Sequence, residues 1–343
     1  MSWRFTPRNR RPANGKQRMQ RRRLTLERLE DRRVLATYTV NTDGTEGLGS
    51  VDGSCDSDPA TPGNQCTFNA AVALASFQDS ITFSIATVNL GSNSPNINSS
   101  INIDGGGGVQ INGDIRIFAD DSSVRNLTIA GDVLLFNSSN ATISDNEFIQ
   151  GGIFFERDSS GNHILNNRVT GDVGISTSLY VAHNNEIKGN TVTGGGGIFL
   201  REGDGNFIEN NVVLGSNGNA ITLGRRTVGN VIQGNSVGVD PSTNQIVAIA
   251  GNGLSISGMG HTIVGNTIGN SQVGIELTSD AANGLIGGGH TVQKNFIGTN
   301  SDETLDLGNR FGIGISGDAN TIGGPAAADG NAIAYNDFGG VVL

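Results

Sequence analysis

Few side chains in this 343-residue chain are spaced so that they could do chemistry together. Asp52, Asp56 and Asp58 form an acidic run of the kind that can hold Ca²⁺ through oxygen ligands. Neither the EF-hand spacing nor a glycine-rich calcium nonapeptide surrounds them, so a solvated loop is the plainer reading. Cys55 and Cys66 are the only cysteines. Two thiols so close in sequence suit one local disulfide in an oxidising compartment, and they are too few for a structural zinc site. Arg201, Glu202 and Asp204 lie together, with Arg225 and Arg226 about one repeat later. A Ca²⁺-dependent lyase would need stacked acids beside an arginine base. Charges beside a glycine-rich turn are ordinarily solvated corners.

Hydrolysis by paired carboxylates would need two acids facing one another. Asn41-Thr42-Asp43 precedes the repeats, and Asp120-Asp121 stands alone. Hydrolases of the polygalacturonase type also carry a Gly-His-Gly and an Arg-Ile-Lys segment; here Gly260-His261 and Gly289-His290 are each followed by Thr, and Glu186-Ile187-Lys188 lacks the Arg. The hydrolase constellation is absent, so no catalytic residue is assigned, and Ca²⁺ is the one cofactor considered. His261 and His290 open equivalent segments, HTIVGN and HTVQKN, and should therefore stack. Stacked imidazoles could form a metal-binding or pH-sensitive pair; the plainer reading is that each replaces an asparagine.

What must position these residues is a repeat. The pattern Asn/His-x-Ile/Val-x-x-Asn-x-Val/Ile recurs as NATISDNEFI, NHILNNRV, NEIKGNTV, NFIENNVV, NVIQGNSV, HTIVGNTI and HTVQKNFI. Its second asparagines are Asn146, Asn167, Asn190, Asn211, Asn235, Asn266 and Asn295, spaced 21 to 31 residues apart. A second apolar strand lies between the units, as in GGIFFE, GNAITLG and QVGIELT. Short apolar strands at a period near 22 make one coil of a parallel β-helix. A leucine-rich repeat of similar period would need a Leu ladder and a helical segment, and both are missing. Alternate Ile, Val and Leu should point inward and stack on the next coil. Asparagine at a fixed corner tolerates left-handed backbone, and its amide can bond to the Asn above and below. Nine or ten coils at ~4.8 Å each predict an all-β rod roughly 45 Å long.

These repeats resemble the pectin-lyase-like superfamily and its right-handed parallel β-helix repeat region, over about two-thirds of the chain. That resemblance implies a fold that hosts polysaccharide lyases, glycoside hydrolases and epimerases, and fold alone establishes no activity. Aromatic platforms are scarce: Trp3 lies in the N-terminal segment, and Tyr38, Tyr180 and Tyr335 are scattered. Two longer coils carry inserts at one position, residues 238–253 and 298–312, which resemble a segment recurring in bacterial β-helix arrays. Inserts at one position project from one face of a solenoid.

The beginning of the chain differs. Residues 1–36 hold 12 Lys and Arg against 3 Asp and Glu, whereas the rest hold 10 against 29. So acidic a body repels phosphate, which argues against a nucleic-acid partner. No apolar run is long enough for an ordinary signal-peptide core or a transmembrane helix. LERLEDRRVLA, Leu26–Ala36, resembles the LEPR-XLL-type motif of exported bacterial surface proteins, with Glu30-Asp31 where that family has Pro. Residues 37–85 resemble the CSLREA domain through TVN, the cysteine loop and CTFNAAVALA; the resemblance implies a module that leads into β-helix repeats. A helix over Thr67–Phe77 would cover the otherwise unpaired first coil.

The expected organisation is a basic sorting segment (1–36), a CSLREA-like cap module (37–95) and a right-handed parallel β-helix (96–343). The expected role is structural, display or adhesive, at the cell surface or outside the cell, with polysaccharide or other surface proteins as partners. A carbohydrate-active enzyme or polysaccharide binder is the alternative. The final GGVVL follows a strand directly, which suggests a longer array or end-to-end pairing of rods.

Overall fold

A computed structural model describes residues 34–49, 53–177, 181–279 and 287–343, and Leu35–Leu343 form one compact unit. The sorting motif therefore lies almost wholly outside the described residues, as do Asp52 and Tyr180.

The unit is a parallel β-helix. A 21-stranded sheet and an 11-stranded sheet account for almost every strand, and every pairing between named strands is parallel. The larger sheet is two columns in one. His163–Leu165 pairs with Glu186–Lys188, then with Phe207–Glu209 and Val231–Gln233. Two residues beyond each of these strands begins a second column, in which Arg168–Val169 pairs with Thr191–Thr193 and that with Val212–Leu214. The smaller sheet closes each coil. Its eleven strands run from Asn96–Ile97 to Gly339–Val342, slightly more than the nine or ten coils expected, because its first strands lack the Asn motif.

Period-2 alternation places one residue of each short strand inside. Ile143, Ile164, Ile187, Ile208, Ile232, Ile263 and Val292 stack in register and are fully buried. Across the core, Ile153, Ile175, Ile198, Ile221, Leu254, Ile275 and Ile313 do the same. A fully buried Ile is worth about 1.5–3 kcal/mol, and each coil contributes several such residues to one continuous cluster.

The coil is sharply bent where the two columns of the larger sheet meet, and the ladder asparagines stand there. Asn146 Nδ2 donates to Asn167 Oδ1 at 3.1 Å, and equivalent bonds of 2.9–3.0 Å link Asn167, Asn190, Asn211, Asn235, Asn266, Asn295 and Asn331. Each Oδ1 also accepts the backbone N–H of the preceding ladder residue, and each Nδ2 reaches a carbonyl such as Ile164 O. Left-handed backbone does not fall on these residues. It falls one position earlier, at Asp145, Asn166, Gly189, Asn210, Gly234, Gly265 and Lys294. Bending and bonding are thus divided between neighbours, which leaves the ladder amide in a conformation that can point inward.

Strand stacking begins before residue 96. Thr37–Val40 pairs with Asp79–Phe83, and that strand pairs with Ile101–Ile103. Between them, Thr67 accepts the Ala70 N–H through its hydroxyl and so caps the helix Phe68–Leu74, whose Phe68 and Ala71 join the core cluster. Cys55 and Cys66 are joined by a disulfide. The Cys66 backbone accepts from Asn41 N and donates to Asn41 Oδ1, which ties the loop to the first strand.

Candidate binding groove

The residues Arg201, Glu202, Asp204, Arg225 and Arg226 come together on adjacent coils. Strands Ile198–Asp204 and Ile221–Val228 pair with a bulge between Leu200 and Glu202, so that Glu202 lies beside Arg226 and Asp204 beside Val228. The bulge is possible because residue 224 is glycine: a Cβ there would collide with the Arg201 carbonyl oxygen. One extra residue in a strand re-aims the side chains that follow it. Arg201, Arg225 and Arg226 are exposed in consequence.

Two depressions share Arg225 and Arg226. One of about 430 Å³ is lined by Phe199, Arg201, Glu202 and Gly224; the other, of about 210 Å³, by Asp204, Val228, Gly258 and Met259. Together they make a groove that crosses successive coils. Its carboxylates are already engaged. Glu202 Oε1 accepts from Arg226 Nη1 at 3.3 Å, and Asp204 Oδ1 accepts the Val228 N–H at 2.9 Å. Asp204 N–H in turn donates to His183 Nδ1 at 3.1 Å. An exposed ion pair of this kind adds about 0–1 kcal/mol, so it orders the groove more than it stabilises the fold. Three of the ten basic residues in the acidic body after residue 36 stand here.

The other sequence candidates are occupied by turns. Asp56 Oδ1 accepts the N–H groups of Asp58 and Gln65, and the Asp58 carboxylate accepts from Ala60 N and Thr61 Oγ1. Among the described residues no three His, Cys, Asp or Glu side chains are grouped to hold a metal ion. Asp43 accepts the Asn89 backbone N–H at 2.7 Å and then its side-chain amide, and these bonds hold its carboxyl below the usual range. Asp120 accepts Ser139 N–H. The two inserts meet in one cavity of about 200 Å³ lined by Val239, Pro241, Asn244, Asn300 and Leu305.

A second ladder escaped the sequence reading as a continuous column. The first residue of every unit after NATISDNEFI forms it, through Asn162, Asn185, Asn206 and Asn230, with side-chain bonds of 2.9–3.0 Å. His261 and His290 continue the same column, with rings 5.0 Å apart and 7° from parallel, and Asn320 follows. The signal was available: the opening Asn/His of the motif is as regular as its second Asn. The outward face of the smaller sheet also carries phenylalanines that sequence order hides. Phe118 and Phe136 stack at 4.7 Å, so their ring faces serve coil-to-coil packing rather than a ligand.

Residues 84–252 match the family described as periplasmic copper-binding protein (NosD). No curated protein matches the chain. Among solved structures, the periplasmic alginate epimerase AlgG is 15% identical, with a TM-score of 0.47, over 78% of this chain and 75% of that one. The Dettilon tailspike protein is 14% identical, with a TM-score of 0.46, over 85% and 66%. The catalytic domain of a GH87 α-1,3-glucanase is 13% identical, with a TM-score of 0.42, over 90% and 60%. The β-helix assignment rests on the chain's own strand pairing. No helix among the described residues is long and apolar enough to cross a membrane.

Proposed function

We propose that this chain is an exported, non-catalytic β-helix rod that acts by contact or display. Helix Phe68–Leu74 serves as the cover of its first coils, and the arginine groove is its contact site. The observation that carries the reading is the state of the groove's carboxylates. Glu202 is paired with Arg226, and Asp204 holds a backbone N–H. Each is thus engaged by a basic side chain or a backbone donor, whereas general acid–base hydrolysis uses a pair of acids free to exchange protons with substrate and water. Export is supported by the disulfide, by the likeness of residues 84–252 to a periplasmic family, and by the LEPR-XLL-like segment.

A second reading, polysaccharide binding, is favoured by the groove itself. Guanidinium groups recognise carboxylate and sulfate in bidentate fashion, and Arg201, Arg225 and Arg226 present them across neighbouring coils.

Among the described residues no three His, Cys, Asp or Glu side chains are grouped as a metal site, so the matched family's copper finds no such donor cluster there. Both cysteines are in the disulfide. His163 Nδ1 is 2.9 Å from Glu186, and His183 Nδ1 accepts Asp204 N–H. His261 and His290 spend Nδ1 on backbone N–H groups inside the core.

The test is to incubate the purified protein with acidic and neutral polysaccharides, with and without Ca²⁺, following cleavage by mass spectrometry and binding by calorimetry. Contact without catalysis predicts no cleavage of any polymer. Cleavage would overturn the reading and return the Arg201–Arg226 region to consideration as an active site.

A further inference from the structure

The two histidines of the second ladder occupy a place that elsewhere belongs to asparagine, and their chemistry there is different. His261 Nδ1 accepts the Asn230 backbone N–H at 3.0 Å, and His290 Nδ1 accepts the His261 N–H at 3.2 Å. Since a backbone N–H can only donate, both Nδ1 atoms must be unprotonated, and the ring proton of each neutral imidazole sits on Nε2. For His261 that proton is received by Ser257 O at 2.9 Å and Thr227 Oγ1 at 3.0 Å. His290 Nε2 is buried and has no hydrogen-bond partner. The rings are stacked face to face and essentially inaccessible.

Protonation would therefore do three things at once. It would turn each accepting Nδ1 into a donor aimed at a donor, bury a cation, and set two cations 5.0 Å apart. The charged groups on the packed elements are Arg225 and Arg226 beside Thr227, Asp204 at Val228, and Asp318, whose backbone accepts Gly289 N–H. Among the described residues neither the Asp204 nor the Asp318 carboxylate makes a hydrogen bond or ion pair with either imidazole, so neither compensates a ring charge.

We infer that His261 and His290 form an acid-sensitive joint in the rod, which holds the coils from Asn230 to Asn320 together at neutral pH and loosens them as the solution becomes mildly acidic. Burial, joined for His261 by the neighbouring His290, lowers both rings to about 4 from 6.5. The sign follows from the depressed value: the unfolded or opened chain binds protons first. Neutral-ring stability is complete above 6.5 and is lost as pH falls toward 4, by up to about tenfold per pH unit in the opening equilibrium for each ring. An asparagine rung carries no such dependence.

The experiment compares the full chain with the double variant His261→Asn/His290→Asn by amide hydrogen exchange at about pH 7 and about pH 4.5. Protection factors at the Asn230 and His261 amides of the natural chain should fall by at least tenfold beyond any fall in the double variant. In parallel, NMR titration of the imidazole Cε1–H signals in the natural chain should show both rings neutral well below pH 6. Equal pH dependence in the two proteins, or rings that titrate at the ordinary histidine value, overturns the proposal. If the double variant fails to fold, the imidazole titration decides alone.

Discussion

Two polar columns run through one hydrophobic core, and they solve the same problem with different groups. The first is asparagine throughout, from Asn146 to Asn331. The second is asparagine from Asn162 to Asn230, then two histidines, then Asn320. An amide offers two donors and two acceptor lone pairs, so a rung is tied to the coil before and the coil after, with a bond left for a carbonyl. A neutral imidazole offers one of each. The comparison teaches that the coil needs only an acceptor facing the preceding backbone N–H. Everything beyond that acceptor is added stability, and it is where the two columns part.

The sharpest way to break the comparison is to remove a rung from the intact column. Asn190→Ala takes away bonds to Ile164 O and Asn211 Oδ1 and the acceptor for Asn167, leaving several buried groups unpaired. A loss of about 3 kcal/mol or more is expected, read by urea denaturation. Asn320→Ala should cost about 1 kcal/mol, because its side chain makes two bonds and is only half-buried. Equal losses would mean that an inner rung of the first column and the last rung of the second are energetically equivalent.

Acidification should separate the columns next. The depressed histidine values, about 4 against 6.5, place the loss of stability between those limits as pH falls. Each ring contributes at most about 3 kcal/mol, from the 1.36 kcal/mol that accompanies a one-unit shift. Calorimetric melting of the natural chain should therefore fall steeply over this window, and the double asparagine variant's should fall less.

Outside both columns, the disulfide offers a control. Cys55→Ala/Cys66→Ala opens a short loop and should lower stability by about 2–3 kcal/mol. That loss should be the same at pH 7 and pH 5 once carboxylate effects common to both proteins are subtracted. The smallest effect belongs to the groove. Arg225→Ala should change stability by no more than about 0.5 kcal/mol, as an exposed substitution does, and a larger change would show that the groove's charges hold the coils together.

The rod was legible in the sequence because its inward residues and corners are written in a fixed order. Asn-x-Ile-x-x-Asn names one strand and the rung on each side of it, and Ile164 and Ile187 stack as their places in the repeat require. The left-handed positions were misplaced by one residue, because Asn166 and Asn167 are chemically identical and only the backbone tells them apart. The groove was less legible. Arg201, Arg225 and Arg226 were visible as charges, but their shared exposure depends on the bulge at Leu200–Glu202 and the bare backbone of Gly224. Such departures from the repeat have no periodicity to announce them.

The asparagine column has a direction. From rung to rung each side-chain amide gives an N–H to the oxygen of the following coil's asparagine, and each side-chain oxygen from Asn167 to Asn331 accepts from the preceding one. Small dipoles in single file reinforce one another, as linked hydrogen bonds do in a poorly polarisable interior. The column is therefore a polarised string rather than a set of independent clasps: its middle members are strengthened from both sides and its end members from one. The two ends are accordingly closed by different groups: the Asn146 oxygen takes the Leu127 N–H, and the Asn331 amide ends on the Val292 carbonyl.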